Sequence, residues 1–220
     1  MQRTVLILLF LATMVGGGTL AATADLRPID LKLLDAQFRL LRSWFPEPVA
    51  AKVAVVGIDH ESVRELPEPI ALWHGHLAQF LEAMRTAGAT AVGLDIVLPD
   101  RSFDQVAPGY DKLLMRGLLD AQRSYPLVLA LTVGPDGHPR PVYAPYLPLA
   151  GARGSGFALF PVDRDGVVRR FEDQIHASRG NFPTLVGQLA RRLGHNAKGG
   201  FIDFWHGARF HYVPLYRVLR

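Results

Sequence analysis

The fold of this chain is decided by two similar stretches, Lys52–Asp59 (KVAVVGID) and Thr90–Leu98 (TAVGLDIVL). Each is a short run of apolar residues, rich in Val and Ile, without polar alternation. This pattern is typical of strands that are buried on both faces of a parallel sheet. Between them, Trp73–Ala87 carries apolar residues at helical spacing, and Gly88 suits the end of a helix. The order predicts a βαβ unit whose two strands are parallel neighbours.

Further elements extend this unit along the chain. Pro28–Arg42 has the pattern of an amphipathic helix that begins with proline in its first turn. Asp111–Arg123 is a predicted helix, and Pro126–Val133 is a third predicted strand. Asn181–Leu193 is a predicted helix with Asn181 as its N-cap. The last predicted strands are 201–204 and 209–213, and Pro214 is expected to begin a further helix.

A turn signal lies in the second half of the chain, at Asp163–Gly166 (DRDG). Asp-Gly between the apolar runs 156–162 and 167–176 predicts an antiparallel hairpin. The same residues look like the start of a calcium loop, but Val168 and Gln174 stand where that loop needs Gly and Glu. We therefore expect a turn and no metal site here. The fold class is accordingly α/β, a mostly parallel three-layer sheet with βαβ units and a later antiparallel hairpin.

Composition excludes several classes of protein. The 220 residues are 49% hydrophobic and 20% charged, which supports a real core and argues against disorder. The net charge of +4 is mild, and the arginines form no basic stripe, so no nucleic-acid partner is expected. The absence of cysteine excludes disulfides, thiolate catalysis and Cys-ligated zinc.

The N-terminus carries an uncharged run of 19 residues, Thr4–Ala22, preceded by Arg3. That length approaches what a helix needs to cross the hydrocarbon core, and the flanking charge favours an N-terminus that stays inside. We expect residues 1–25 to be a retained membrane anchor ahead of the globular domain. Two other interpretations are a cleaved signal peptide with a site at Ala22–Ala24 and a buried core helix.

Two carboxylates end the two buried strands that open the fold. Val55–Asp59 and Ala91–Asp95 share the pattern apolar, apolar, Gly, apolar, Asp. If the strands are adjacent and parallel, both carboxylates lie at the carboxyl edge of the sheet, where α/β proteins bind ligands. They could then hold a metal, bind an amine or act as an acid/base pair. The alternative is structural, because such carboxylates often cap a helix or fasten a loop.

Other candidate sites are weaker. His74 and His76 are two residues apart, and side chains at that spacing do not face each other on a helix. No third zinc ligand stands at a recognisable spacing, so we expect no metal there. No nucleophile elbow, zinc-protease motif or phosphate-binding loop occurs in the sequence. No cofactor is expected.

Taken in order, several segments resemble the type-2 CHASE domain, an extracytoplasmic sensory module of bacterial receptors. The resemblance covers roughly residues 26–220. It is carried by the helix before the first strand, the two strands that end in Asp, the late D-x-D-G-x-x-R motif and the strand after it. These segments are Asp30–Arg39, Val53–Asp59 with Ser62 close behind, His76–Leu81, Ala87–Ala89, Gly93–Ile96 with Asp104 following, Asp163–Arg170, and Ile202–Phe204 with Gly207.

The resemblance implies a receptor input domain rather than an enzyme. Its output would be an adenylate or guanylate cyclase, a histidine kinase, a serine/threonine kinase or a diguanylate cyclase. Residues 26–220 would be periplasmic and the anchor would lie in the inner membrane. The family would continue beyond Arg220, so we expect this domain to be incomplete there. An unknown small-molecule or envelope ligand, the lipid bilayer and a second copy in a homodimer are the expected partners.

The ligand-binding residues expected from these arguments are Asp59, Asp95, Ser62 and Asp104. The second hypothesis is an envelope hydrolase that uses Asp59 and Asp95 with a divalent metal, and a third is a structural protein of the envelope. The hydrolase requires the two carboxylates to lie close together with a third ligand nearby.

Overall fold

The computed structural model describes residues 7, 10, 13–15, 27–47, 53–177, 180–196, 198–205 and 210–220. They fall into two compact units, which are considered one at a time. The smaller unit takes the described residues of Met1–Lys52 and Asp203–Arg209. The larger unit takes those of Val53–Ile202 and Phe210–Arg220.

The smaller unit is built on one helix, α1 (Arg27–Trp44). Asp30 in its first turn and Arg42 in its last turn complement the helix dipole. The Phe38 ring packs edge-on against Phe204 at 6.1 Å between centroids, and Arg42 Nε donates to the Phe204 carbonyl at 3.1 Å. The helix predicted over 28–42 is therefore confirmed; it begins one residue earlier and ends two residues later than predicted.

The predicted membrane span at residues 4–22 lies mostly outside the described residues. Of that stretch, only residues 7, 10 and 13–15 are described. Within the described part of the chain, no helix combines the length and apolarity needed to cross a bilayer. The span stays a prediction.

The larger unit contains nine strands and six helices among its described residues. The strands are β1 (Ala54–Gly57), β2 (Val92–Leu94), β3 (Leu127–Leu131), β4 (Ser155–Phe157), β5 (Arg170–Glu172), β6 (Gln174–Ala177), β7 (Gly180–Pro183), β8 (Gly199–Phe201) and β9 (His211–Pro214). The helices are α2 (His60–Glu65), α3 (His74–Thr86), α4 (Tyr110–Ser124), α5 (Tyr146–Leu149), α6 (Leu185–Arg192) and α7 (Leu215–Val218), with a 3₁₀ turn at Ile70–Leu72.

The core lies on the parallel sheet β2-β3-β4, in which β3 is central. Leu127 and Leu129 of β3 pack into one apolar cluster with residues of α3 and α4, such as Leu81 and Leu114. Alternate residues of a strand point to opposite faces, so the equally buried Val128 turns to the other face, where α6 packs. Helices therefore pack on both faces of this parallel sheet. Burying each leucine stabilises the fold by about 1.5–3 kcal/mol.

The predicted neighbours β1 and β2 do not pair, and this expectation was wrong. β1 forms a separate two-stranded parallel sheet with β9, in the register Ala54↔His211 to Gly57↔Pro214. The Tyr212 ring of β9 lies over Gly57, in the space that a side chain at 57 would occupy. A strand–helix–strand pattern does not exclude a partner from the far end of the chain.

The hairpin expected around Asp163–Gly166 is confirmed as a turn but not as a pair of strands. Asp163 N donates to the Val167 carbonyl at 3.0 Å, and Gly166 adopts a positive φ of 80°. The flanking runs pair elsewhere, since β4 joins β3 and β5 joins β8. The antiparallel hairpin of this region is β6–β7 instead.

The helix predicted over 181–193 begins later than expected. Asn181 belongs to strand β7, and the N-cap is Thr184, whose Oγ1 accepts from Gly187 N at 3.0 Å. Asn181 uses its side chain across the hairpin, where its Oδ1 lies 2.7 Å from His176 Nδ1. Both residues are good caps by type, and strand pairing decides between them.

Candidate functional site

Asp59 is fixed by the helix that follows it. It is the N-cap of α2, and its Oδ1 accepts from both the backbone N and the Oγ of Ser62, each at 2.8 Å. These two hydrogen bonds, with a further one from Tyr212, hold the pKa of Asp59 below its usual value. Ser62 is fully buried, and its Oγ also accepts from Tyr216 N at 3.4 Å. The pair therefore fastens α2 to the chain around β9 and α7.

Asp95 stands in a different environment at the end of β2. Its side chain is exposed, and it has no hydrogen bond or ion pair with any residue that the structure describes. The chain continues as Ile96-Val97-Leu98-Pro99, which starts no helix, because proline disfavours helical backbone in the residue before it. Asp95 is thus the one predicted ligand residue whose carboxylate is open to a binding partner among the described residues.

Asp104 closes the loop that leads into α4. Its Oδ1 accepts from the backbone N of Gly109 and of Asp111, both at 3.1 Å. Gly109, the N-cap position, has a φ of 87° and no side chain of its own to cap the helix. Asp104 therefore caps α4 from a position five residues before Gly109, and its carboxylate already accepts two hydrogen bonds from the protein.

A buried polar cluster that the sequence did not indicate lies next to this cap. Asp111 is only 3% exposed, and its Oδ1 accepts from Tyr146 Oη at 2.9 Å and from Phe103 N at 3.2 Å. Burial raises the pKa of this carboxyl, but hydrogen bonds from Ser102, Phe103 and Tyr146 outweigh it and lower the pKa overall. Burial also raises the pKa of Tyr146 well above its ordinary value. The cluster holds one negative charge inside the fold.

His74 completes this cluster from the start of α3. It is 1% exposed, and its Nε2 lies 3.5 Å from Asp111 Oδ1, with the rings of Phe103, Tyr110 and Tyr146 around it. Neither ring nitrogen has a hydrogen bond of good geometry among the described residues, although the Leu72 backbone lies near enough to raise the pKa of His74 slightly. Burial lowers the pKa of His74, against the opposing charge of Asp111. His74 is therefore held neutral beside a carboxylate.

The other half of the H-x-H pair points elsewhere. His76 Nε2 lies 3.0 Å from Glu68 Oε2, and its ring packs edge-on against Trp73. The two histidines thus contact different acids and share no site. In the described part of the chain, no group of three or more His, Asp or Glu residues could hold a metal ion.

The D-x-D-G-x-x-R motif forms a compact charge cluster. The Arg169 guanidinium, 3% exposed, donates to Asp163 Oδ2 at 2.9 Å and to both oxygens of Asp165, and Arg170 pairs with Asp163 as well. Hydrogen bonds from Arg169 lower the pKa of Asp163 and bring that of Asp165 to about 2. The turn is closed by its own arginine, which explains why aspartates spaced like calcium ligands need no cation.

An open groove runs between α3 and α4, with a volume of about 720 Å³. Gly117 allows the helices to approach closely, because a side chain there would meet Ala78. None of the four predicted ligand residues lines this groove; its charged rim consists of Glu82, Arg116 and Asp120. The groove and the strand ends are therefore separate features of the larger unit.

The structure brings together some of the predicted residues and separates others. Asp59 and Ser62 are in direct contact, but Asp59 and Asp95 end strands of two different sheets. This removes the shared edge on which a metal-dependent hydrolase would rely. The arrangement offers engaged carboxylates that stabilise loops and one open carboxylate.

Comparison with known families identifies the family of this chain. The model of the CHASE2 domain matches residues 5–220, nearly the whole chain. The chain therefore belongs to the CHASE2 domain family, whose members are extracytoplasmic sensory domains. Neither a curated protein nor a solved structure matched the chain.

Proposed function

We propose that this chain is the input domain of a bacterial transmembrane signalling receptor. The observation that carries the proposal is the CHASE2 match over residues 5–220. The output domain would be a nucleotide cyclase, a histidine kinase, a serine/threonine kinase or a diguanylate cyclase. The chain itself would have no enzymatic turnover.

The proposed topology places residues 1–25 as an anchor in the inner membrane and residues 26–220 in the periplasm. It rests on the uncharged run Thr4–Ala22 and on Arg3 before it. A cleaved signal peptide ending near Ala24 would deliver the same domain to the same side. N-terminal sequencing of the membrane fraction distinguishes the two, because cleavage would give a chain that starts at Asp25.

Asp95 is the proposed point of ligand contact. It follows β2 at the carboxyl edge of the central parallel sheet, where open α/β sheets bind ligands. Its carboxylate is exposed, whereas Asp59, Ser62 and Asp104 already accept or donate hydrogen bonds that hold loops. A ligand with a cationic or hydrogen-bond-donating group would suit this position. The other three residues would support the fold around it.

Signalling would proceed by a shift between two populations of the domain. A ligand that binds one arrangement more tightly moves the equilibrium towards it. Helix α1 is the proposed lever, because it directly precedes β1 in the chain and follows the proposed anchor. A rotation or displacement of this helix would carry the change to the membrane.

The lever can be tested without knowing the ligand. One to four alanines are inserted between Asp30 and Leu31, ahead of the part of α1 that packs on Phe204. Each residue rotates the upstream segment by about 100°, so four residues nearly restore the phase. The chain is joined after Arg220 to a membrane span and a nucleotide cyclase. Cyclic nucleotide production should change severalfold with one or two residues and return towards the starting value with four.

A structural control accompanies each insertion. Thermal unfolding of the larger unit should be unchanged, since the insertion lies outside it. Equal cyclase output from all four insertions, with equal expression, would show that α1 transmits nothing and would overturn the proposed mechanism.

The hydrolase alternative finds no support in the geometry, and it has a direct test. The purified chain should show only background phosphatase, esterase and cyclase rates with Mg²⁺ or Mn²⁺. Activity that is abolished by Asp59→Asn or Asp95→Asn would refute the proposal that the chain only senses. Asp59→Asn is a suitable substitution because asparagine is an equally good N-cap.

A further inference from the structure

Helix α1 carries two apolar faces. One face includes Phe38, which packs against Phe204. The other is formed by large side chains that stay in contact with solvent: Ile29 is 57% exposed, Leu33 56%, Leu40 56% and Trp44 72%. Ala36, which lies between them, is exposed too. We refer to Ile29, Leu33, Ala36 and Leu40 as the α1 seam; Trp44 lies beside its C-terminal end.

The spacing of the seam is that of a coiled coil. Its members follow one another at steps of four, three and four residues, which places them on one narrow stripe of an α-helix. At about 100° per residue, Phe38 lies roughly opposite this stripe. The contact with Phe204 therefore leaves the seam uncovered. A continuous exposed apolar stripe of this kind is uncommon on a soluble surface and marks an interaction site.

We propose that the α1 seam packs in parallel against the same seam of a second copy of this chain. In this register, Leu33 and Leu40 occupy one type of core position and Ile29 and Ala36 the other. Each layer then brings together two identical side chains. The small Ala36 layer allows the helices to approach closely between two larger layers.

The charges beside the seam select the parallel orientation. Lys32 and Arg39 flank one side of it, and Asp30, Gln37 and Trp44 flank the other. In a parallel pair, opposite flanks meet, so Lys32 faces Gln37 and Arg39 faces the Trp44 ring of the second copy, a favourable cation–π arrangement. In an antiparallel pair, like flanks meet and Lys32 would lie beside Arg39 twice. Repulsion between these cations disfavours that arrangement.

The size of the seam sets the expected strength. The helix has 18 residues, so it is about 27 Å long and offers only four layers. An interface of this size is at the small end for a stable complex. We therefore expect an exchanging dimer, which covalent trapping detects better than size measurement.

The natural sequence provides a clean background for trapping, since it contains no cysteine. Single-cysteine variants Leu33→Cys, Ala36→Cys and Leu40→Cys of the full chain are oxidised, and disulfide-linked dimer is quantified. Parallel pairing predicts fast homodisulfide formation at all three positions, where the Cα atoms come within disulfide distance. Gln37→Cys is the matched control: it is exposed and adjacent to Ala36, but it lies on the flank and should cross-link at least about tenfold more slowly.

Three outcomes would overturn the proposal. Cross-linking only in mixtures of Leu33→Cys with Ala36→Cys would indicate an antiparallel pair. No cross-linking together with slow alkylation would show that another part of the same chain covers the seam, and no cross-linking with fast alkylation would show a free surface.

A second variant guards against chance collisions. Leu40→Glu should reduce cross-linking at Leu33→Cys at least about tenfold with unchanged helix content, and an equal rate would also count against pairing. The pairing goes beyond the proposed receptor role and does not depend on it, so either can fail alone.

Discussion

The two strand ends that share the pattern Gly-x-Asp differ in almost every structural respect. At the end of β1, Asp59 caps α2 and binds Ser62, and Gly57 leaves room for the Tyr212 ring. At the end of β2, Asp95 is exposed, and a side chain at Gly93 would meet only Leu185 and Leu189 at ordinary contact distances. The residues after each aspartate make this difference. His60-Glu61-Ser62 can begin a helix, whereas Pro99 prevents one from forming soon after Asp95.

This difference separates two roles for a carboxylate. An engaged carboxylate has its hydrogen bonds supplied by the protein, so its removal should lower stability. An open carboxylate contributes little to folding and is available to a ligand. The predictions below compare engaged and open groups, beginning with the most deeply engaged one.

The largest effect is expected at the 163–169 turn, where an aspartate and its arginine are both buried. Arg169→Met should lower the free energy of unfolding by about 3 kcal/mol, because it leaves the buried Asp163 carboxylate short of its main partner. Arg170→Met is the matched control. Its side chain is 44% exposed and contacts the same aspartate, so the loss should be about 1 kcal/mol or less. Equal losses in chemical denaturation would contradict the assigned roles.

A pH-dependent effect is expected from His74, the buried neutral partner of Asp111. The unfolded histidine titrates near pH 6.5, and burial keeps the pKa of the folded group lower. Below pH 6.5 the unfolded state therefore gains a proton that the folded state does not hold. Stability should fall by up to about 1.4 kcal/mol per pH unit until the folded group titrates.

The contribution of His74 is obtained by difference. His74→Gln should remove this part of the pH dependence between pH 7.5 and 5.5, whereas His76→Gln, on the same helix and partly exposed beside Glu68, should retain it. Urea unfolding at a series of pH values measures both. An unchanged slope in His74→Gln would show that His74 is not held neutral by the fold.

The strand ends themselves provide a direct pair of substitutions. Asp59→Ala should cost about 1 kcal/mol, the usual effect of removing a helix N-cap. Asp95→Ala should change stability by less than about 0.5 kcal/mol, as expected for an exposed group without partners. Thermal unfolding of both variants under one condition gives the comparison. A cost at Asp95 equal to that at Asp59 would mean that Asp95 is also a structural fastener.

Alanine substitutions at the glycines before the two aspartates should follow the same order, with the larger loss of stability at Gly57 and the smaller effect at Gly93. Gly57→Ala displaces the Tyr212 ring, whose hydroxyl donates to Asp59, and should cost about 1 kcal/mol. Gly93→Ala meets only ordinary contacts and should be neutral or raise stability by up to about 0.5 kcal/mol, because alanine loses less backbone entropy in a strand. A larger loss at Gly93 than at Gly57 would contradict the packing described for the two strands.

Local patterns in the sequence were sufficient to predict most of the elements. The helices around Leu77 and Leu118 and the strand at Leu127–Leu131 follow from apolar spacing, and all three are confirmed. Strand partners were not predictable in the same way. β1 pairs with β9 across more than 150 residues, and nothing in Val53–Asp59 indicates a partner so distant in the chain. The identity of a neighbouring strand depends on tertiary packing, which periodicity does not contain.

The candidate site shows the same limit. The D-x-D-G-x-x-R motif is recognisable in the sequence, but only the structure shows that Arg169 forms a buried ion pair with Asp163. Asp111, His74 and Tyr146 carry no sequence pattern at all, because they come from three separate elements. In the sequence, only one feature could have indicated this cluster: Asp111 is a charged residue on the apolar side of α4.

The placement of the domain outside the cytoplasm is the central claim, and a topology reporter tests it most directly. An alkaline phosphatase that needs disulfides formed outside the cytoplasm is fused after Arg220, and a fluorescent protein that folds only inside is fused to a parallel sample. The account predicts an active phosphatase and a dark fluorescent fusion, both reversed when residues 4–22 are deleted. A bright fluorescent fusion with inactive phosphatase in the intact chain would contradict it.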